Sequence, residues 1–309
     1  MAINRRTFLT NTGAAVLAST VLPALPAEAA DSTRKLTILH TNDVHSRIDP
    51  FPMDGSRNQG LGGVAPRAAL IEQIRSQEEQ VLLLDAGDIF QGTPYFNVYK
   101  GEPEIKAMTA MRYDAATMGN HDFDGGLENF ATQLQHASFP LIICNYDFSG
   151  TVMEGKSKPY QVFRKGDLKI GVLGLGIELD GLVPDNLTGG TRYLDPVAAA
   201  NTTAEKLRKE GCDMIICLSH LGDKYSENRV SDEILAKESY DIDLIIGGHT
   251  HRFFEEPRKY TNKNGGDVLV NQVGFAGIQL GRLDYQFSSG RRKKLSKAHT
   301  VVVGKKTRE

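Results

Sequence analysis

The chain has 309 residues, 40% of them hydrophobic and 24% charged, which excludes both a small disulfide-stapled domain and wholesale disorder. Its 36 basic residues against 38 acidic ones leave a formal charge of −2, so no global field favours nucleic acid or an anionic membrane as the main partner. Three cysteines in such a length exclude a disulfide framework.

Residues 1–29 read as an export signal. Arg5 and Arg6 make a positive start, Thr7 to Ala27 carry no charge, and Ala27-Glu28-Ala29 is a small-x-small cleavage site. Asn4-Arg5-Arg6-Thr7-Phe8-Leu9 resembles the twin-arginine signal, a bacterial route for folded proteins. The apolar stretch 13–25 is dilute and interrupted by Pro23 and Pro26, whereas a membrane span needs ~20 strongly apolar residues. A mature chain starting at Ala30 is therefore expected, periplasmic or otherwise extracytoplasmic and without a membrane anchor.

Short, continuously apolar runs predict buried strands at 36–39, 81–84, 115–118, 141–144, 169–173, 214–218 and 244–246. Helical patterns lie between them at 64–77, 102–111, 127–136 and 196–210. Strands alternating with helices imply a layered α/β domain over 30–309, with no linker rich in Pro, Gly or Ser to divide it. Residues 268–270, 279–287 and 299–303 are strand-like without helices between, and Ser288-Ser289-Gly290 signals a turn, so 279–303 reads as a hairpin.

The residues that follow the strands carry the chemistry. Thr41-Asn42-Asp43-Val44-His45 follows the first run and Asp85-Ala86-Gly87-Asp88 the second. Gly119-Asn120-His121-Asp122-Phe123-Asp124, Ser219-His220 and Gly247-Gly248-His249-Thr250-His251 follow three others. In layered α/β folds the C-terminal strand ends line one crevice where ligands bind. Carboxylate, amide and imidazole donors without cysteine suit Zn²⁺, Mn²⁺ or Fe. Seven candidate ligands are too many for one tetrahedral zinc; they suit two divalent metal ions sharing a carboxylate ~3.5–4 Å apart.

These segments resemble the calcineurin-like metallophosphoesterases, and more narrowly the catalytic domain of the 5′-nucleotidase branch. The carriers are Ile38-Leu39-His40-Thr41-Asn42-Asp43-Val44-His45, Leu83-Leu84-Asp85-Ala86-Gly87-Asp88-Ile89-Phe90-Gln91-Gly92-Thr93 and Gly119-Asn120-His121-Asp122-Phe123-Asp124. The resemblance implies an α/β/β/α sandwich with the active site at the C-terminal strand ends. It implies that Asp43, His45, Asp88 and His251 hold one metal, and that Asp88, Asn120, His220 and His249 hold the other, with Asp88 bridging. His251 stands where some relatives carry Gln. His121 would be the catalytic histidine and Asp124 the residue that orients it.

Two cations would acidify a shared water, giving hydroxide for in-line attack on phosphorus, while His121 stabilises developing charge or protonates the departing alkoxide. The expected activity is hydrolysis of phosphate monoesters, 5′-nucleotides first among them. The alternatives are a phosphodiesterase or nuclease acting on cyclic nucleotides or nucleic-acid diesters, and a non-catalytic metal-binding exported subunit. Two-domain 5′-nucleotidases add a second domain that grips the nucleoside; after Asp284 there is room here only for the hairpin. The expectation is that a separate nucleotide-binding protein supplies that part, or that the substrate is recognised through its phosphate. Arg291-Arg292-Lys293-Lys294 reads as a solvated turn, and His40, His136 and His299 as structural.

Overall fold

The structure is a computed structural model that describes residues 34–227, 229–288 and 293–304. The expected export signal, and Ser289-Gly290 of the expected turn, lie outside these residues.

One half of the molecule is built from β1 (Arg34–Thr41), α1 (Val64–Arg75), β2 (Val81–Asp85), α2 (Pro94–Tyr99), α3 (Glu102–Ala110), β3 (Ala115–Ala116) and α4 (Leu127–Gln133). A short pair, β4 (Tyr146–Asp147) and β7 (Arg192–Tyr193), lies beyond it. The other half has β5 (Tyr160–Lys165), β6 (Leu168–Leu175), α5 (Asp185–Thr188), α6 (Pro196–Lys209), β8 (Met214–Ser219), α7 (Asp232–Glu238), β9 (Leu244–Gly247), β10 (Arg258–Thr261) and β11 (Asp267–Asn271). The chain then returns to the first sheet through β12 (Gln279–Phe287) and β13 (Lys293–Val302).

The first sheet has the order β13-β12-β1-β2-β3, and the second β10-β11-β9-β8-β6-β5. β1, β2 and β3 run parallel, as do β6, β8, β9 and β11. β12–β13 is the antiparallel hairpin expected over 279–303, paired from Gln279↔Val302 to Phe287↔Lys293.

The period-two alternation of side chains decides the layering. Leu36, Ile38, Leu82 and Leu84 point into a seam between the sheets, where they meet Ile170, Val172, Ile216, Leu218 and Ile246. Leu39, Val81 and Leu83 point the other way, onto Ile71 and Ile74 of α1 and Ile105 and Met108 of α3. On the far side Leu173, Ile215, Cys217 and Ile245 pack against α6 and α7 through Ala200, Ala204, Leu207, Leu235 and Ala236. The stack is helix, sheet, sheet, helix, the sandwich anticipated from sequence. Both outer helices of the second half start on side-chain caps: Asp195 accepts from the Ala198 amide at 2.8 Å, and the Ser231 hydroxyl from that of Ile234 at 3.4 Å.

One predicted strand is not a strand. In 141–144 the backbone amides go to three different places: Ile142 to the Ala116 carbonyl, Ile143 to Lys158 and Cys144 to Gly174. The run is apolar because it is buried while crossing between sheets, which periodicity cannot tell from a ladder strand. Among the described residues no helix is long and apolar enough to cross a membrane.

Candidate metal centre

Because β1, β2 and β3 are parallel, as are β8 and β9, five loops leave the strands at one end of the seam. They carry Asp43 and His45, Asp88, Asn120 and His121, His220, and His249 and His251. The first two loops are zipped together: the amides of Asp43, His45 and Ser46 donate to the carbonyls of Gly87, Asp88 and Ile89 at 2.9, 3.1 and 2.9 Å. The His249 amide reaches back to the Asp43 carboxylate at 2.9 Å, tying β9 of one sheet to β1 of the other.

Asp43, His45, Asp88, His249 and His251 all have φ between 50° and 70°, the left-handed region that non-glycine residues seldom enter. Such backbone persists only where surrounding contacts enforce it, and it clusters at functional sites. Gly119 is required by proximity: a Cβ there would lie 2.1 Å from Asp88 Oδ1 and 2.5 Å from His220 Nε2.

Donor atoms of Asp43, His45, Asp88 and His251 lie within 4.8 Å of one another, and so do those of Asp88, His220 and His249. Asp88 belongs to both groups. His45 Nε2 is 3.0 Å from His251 Nε2, and His251 Nε2 is 3.4 Å from Asp43 Oδ1. Asn120 joins the second group, its amide oxygen 2.8 Å from His249 Nδ1. All seven residues singled out in the sequence thus converge, with carboxylate, amide and imidazole donors and no thiolate, a set that fits Zn²⁺, Mn²⁺ or Fe.

His220 is fully buried and donates from Nδ1 to the Ala86 carbonyl at 2.7 Å, which turns Nε2 toward the cluster, 3.0 Å from Asp88 Oδ2. Burial alone would raise the Asp88 carboxyl, but the adjacent His220 overrides it and holds Asp88 well below the usual carboxylate range. Burial likewise opposes charge on His220, yet Asp88 drives its pKa up to about 10. Burial pushes His249 down to about 4 and lowers His45 as well, leaving both rings neutral and able to ligate.

His121 stands at the rim, 39% exposed, with Nδ1 2.9 Å from Asp124 Oδ2; that hydrogen bond raises its pKa. Its backbone amide donates to Asp88 Oδ1 at 2.8 Å, which fixes the ring beside the cluster.

Sequence reasoning gave Asp122 no role. It is fully buried, and its carboxylate gathers four backbone amides: Asp88 at 3.0 Å, Ile89 at 2.9 Å, Phe90 at 3.1 Å and Gly119 at 2.8 Å. One side chain thus clamps the Asp88 loop to the Asn120 loop. Phe275 was also missed; it stacks on His251 with centroids 5.3 Å apart. His40, as expected, stays in the core, 2.8 Å from Asn271.

Residues 36–253, every element of this centre among them, match the calcineurin-like phosphoesterase family. The chain belongs to that family. It is 38% identical to the snake venom 5′-nucleotidase of Crotalus adamanteus over 226 residues, which cover 71% of this chain and 37% of that one. It is 36% identical to the 5′-nucleotidase of Homo sapiens over 276 residues, 82% of this chain and 46% of the other. The solved 5′-nucleotidase precursor from Thermus thermophilus superposes with a TM-score of 0.78 at 32% identity, covering 88% of this chain and 55% of that one. This family member thus spans about half the length, or less, of the relatives it matches.

Proposed function

We propose that this calcineurin-like phosphoesterase is an exported hydrolase of phosphate monoesters, acting on 5′-nucleotides with two divalent ions, Zn²⁺, Mn²⁺ or Fe. The observation that carries the reading is the sharing of Asp88 between two ligand groups beside the His121–Asp124 pair. Asp43, His45, Asp88 and His251 would hold one ion, and Asp88, Asn120, His220 and His249 the other. The similarity to 5′-nucleotidases supports the substrate class.

Bound cations would neutralise phosphoryl oxygens and acidify a water. The chain's own residues do the rest. Asp124 accepts from His121 Nδ1 and favours the protonated ring, whose Nε2 would then offer a proton to an alkoxide leaving at the rim. Asp122 and Gly119 keep Asp88 and Asn120 close enough to serve one phosphate. Residues 1–29 would direct twin-arginine export of a catalytic domain formed by 30–309. A separate protein would hold the nucleoside, or the substrate would be recognised mainly through its phosphate.

The test is purified chain loaded with Mn²⁺ or Zn²⁺ and assayed on AMP, UDP-sugars, cyclic nucleotides and a bis-aryl phosphate diester. AMP turnover with loss of at least about a hundredfold in His121→Asn at undiminished metal content supports the reading. Turnover of diesters alone would replace it with a phosphodiesterase, and metal binding without turnover would replace it with a binding subunit. Full nucleotidase activity with no co-purifying protein would overturn the partner.

A further inference from the structure

Directly behind the first two metal loops lies a small chamber of about 10 Å³, room for one water molecule. Its walls are apolar apart from Ser46, Arg47, Arg67 of α1, Glu104 of α3, Asp85 and Tyr113. Arg67 is 2% exposed, Glu104 4% and Ser46 0%. Asp85 and Tyr113 are satisfied: Asp85 accepts from the Thr41 hydroxyl at 2.6 Å and the Gly87 amide at 2.9 Å, and Tyr113 meets Thr41 at 2.8 Å. Arg67 Nε and Nη1, Arg47 Nε, both carboxylate oxygens of Glu104 and the Ser46 hydroxyl are buried without a hydrogen-bond partner.

A buried polar atom left without a partner costs ~1–3 kcal/mol, more when charged. Six such atoms line one water-sized space, and a single water can serve several of them, accepting from Arg67 while donating to Glu104 and Ser46. An anion would face the Glu104 and Asp85 carboxyl groups and a cation the Arg47 and Arg67 guanidinium groups, so charge argues for a neutral occupant. The surroundings explain why the groups are kept. Gly277 has φ +58°, and a Cβ there would fall 2.2 Å from Arg67 Nη1, so the guanidinium backs segment 276–277. That segment holds the Asp43 carbonyl through the Ala276 amide at 2.7 Å. Ser46 is the third residue of the left-handed series Asp43, His45, Ser46.

We propose that this chamber binds an ordered water linking Arg67, Glu104 and Ser46, and that Arg67 and Glu104 thereby act as positioning residues for the loop carrying Asp43 and His45. The positioning half rests on the metal reading above; the water does not.

A high-resolution crystal structure decides the water: density within about 3.2 Å of both Arg67 and Glu104 is expected. A dry chamber, or a direct Arg67–Glu104 pair, would overturn it. Positioning is read by Zn²⁺ titration. The charge-balanced pair Arg67→Met with Glu104→Leu fills the chamber with apolar atoms, an exchange that commonly preserves stability. It is expected to keep its Tm and to bind Zn²⁺ about tenfold more weakly, as loss of a supporting shell does. Glu104→Gln, which retains polar atoms for the water, is expected to stay within about threefold of the unmodified chain. A lowered Tm with unchanged Zn²⁺ affinity would show packing alone and overturn the positioning role. An unmodified chain that binds no Zn²⁺ would overturn the metal reading and positioning together, while the crystal density still decides the water.

Discussion

At the scale of single residues, the rim pair gives the sharpest expectation. The Asp124 hydrogen bond raises the pKa of His121, so the ring keeps its proton to higher pH than an ordinary imidazole. If the protonated form is the working one, activity persists up to that raised pKa and falls above it. Asp124→Asn removes the cause, so the basic limb of kcat against pH is expected to move to lower pH, with kcat lowered about 10²-fold at its best. A limb that stays in place would show that another group sets it. The metal-ligand candidates were legible in sequence because each sits just past an apolar run that forms a buried strand. The role of Asp122 was not, since no spacing tells which backbone amides a carboxylate will gather. Nor was the left-handed backbone of five ligand candidates, since these are Asp and His where turn chemistry would suggest glycine.

At the scale of elements, legibility followed burial. β2, β8 and β9 are buried along their whole length and announced themselves as unbroken apolar runs. β5 and β10, exposed or half-buried edge strands, did not, and neither did α2 or α7, each too short for a helical period to show. Ile216, fully buried at the middle of β8, faces the seam between the sheets. Ile216→Ala is expected to cost about 2–5 kcal/mol in urea unfolding. Its kcat per folded molecule is expected to hold within about twofold, because the packing it loses lies in the seam between the sheets and not in a loop. A collapse of kcat at full folding would mean that seam packing sets the geometry of the centre.

At the scale of the molecule, the two ligand groups draw on both sheets: Asp43, His45, Asp88 and Asn120 leave the first, His220, His249 and His251 the second. A formal charge of −2 gave no hint of this, because the site's chemistry is local. Ions held there would link the two sheets, and Zn²⁺ at a hundred times its Kd, binding the folded chain alone, is expected to add about 2.7 kcal/mol to unfolding. Asp88 raises the pKa of His220, so an ion binding at neutral pH would compete with a proton there. Calorimetry in buffers of differing ionisation enthalpy is expected to show release of about one proton, and affinity falling as pH falls. Equal heats across buffers would place that proton elsewhere. Hydrogen bonds join the loops that carry the donors, from Asp43, His45 and Ser46 to the second loop and from His249 back to Asp43. The loops are thus tied to one another as well as to their own strands, so a displacement of one is passed to the next before it reaches the sheets.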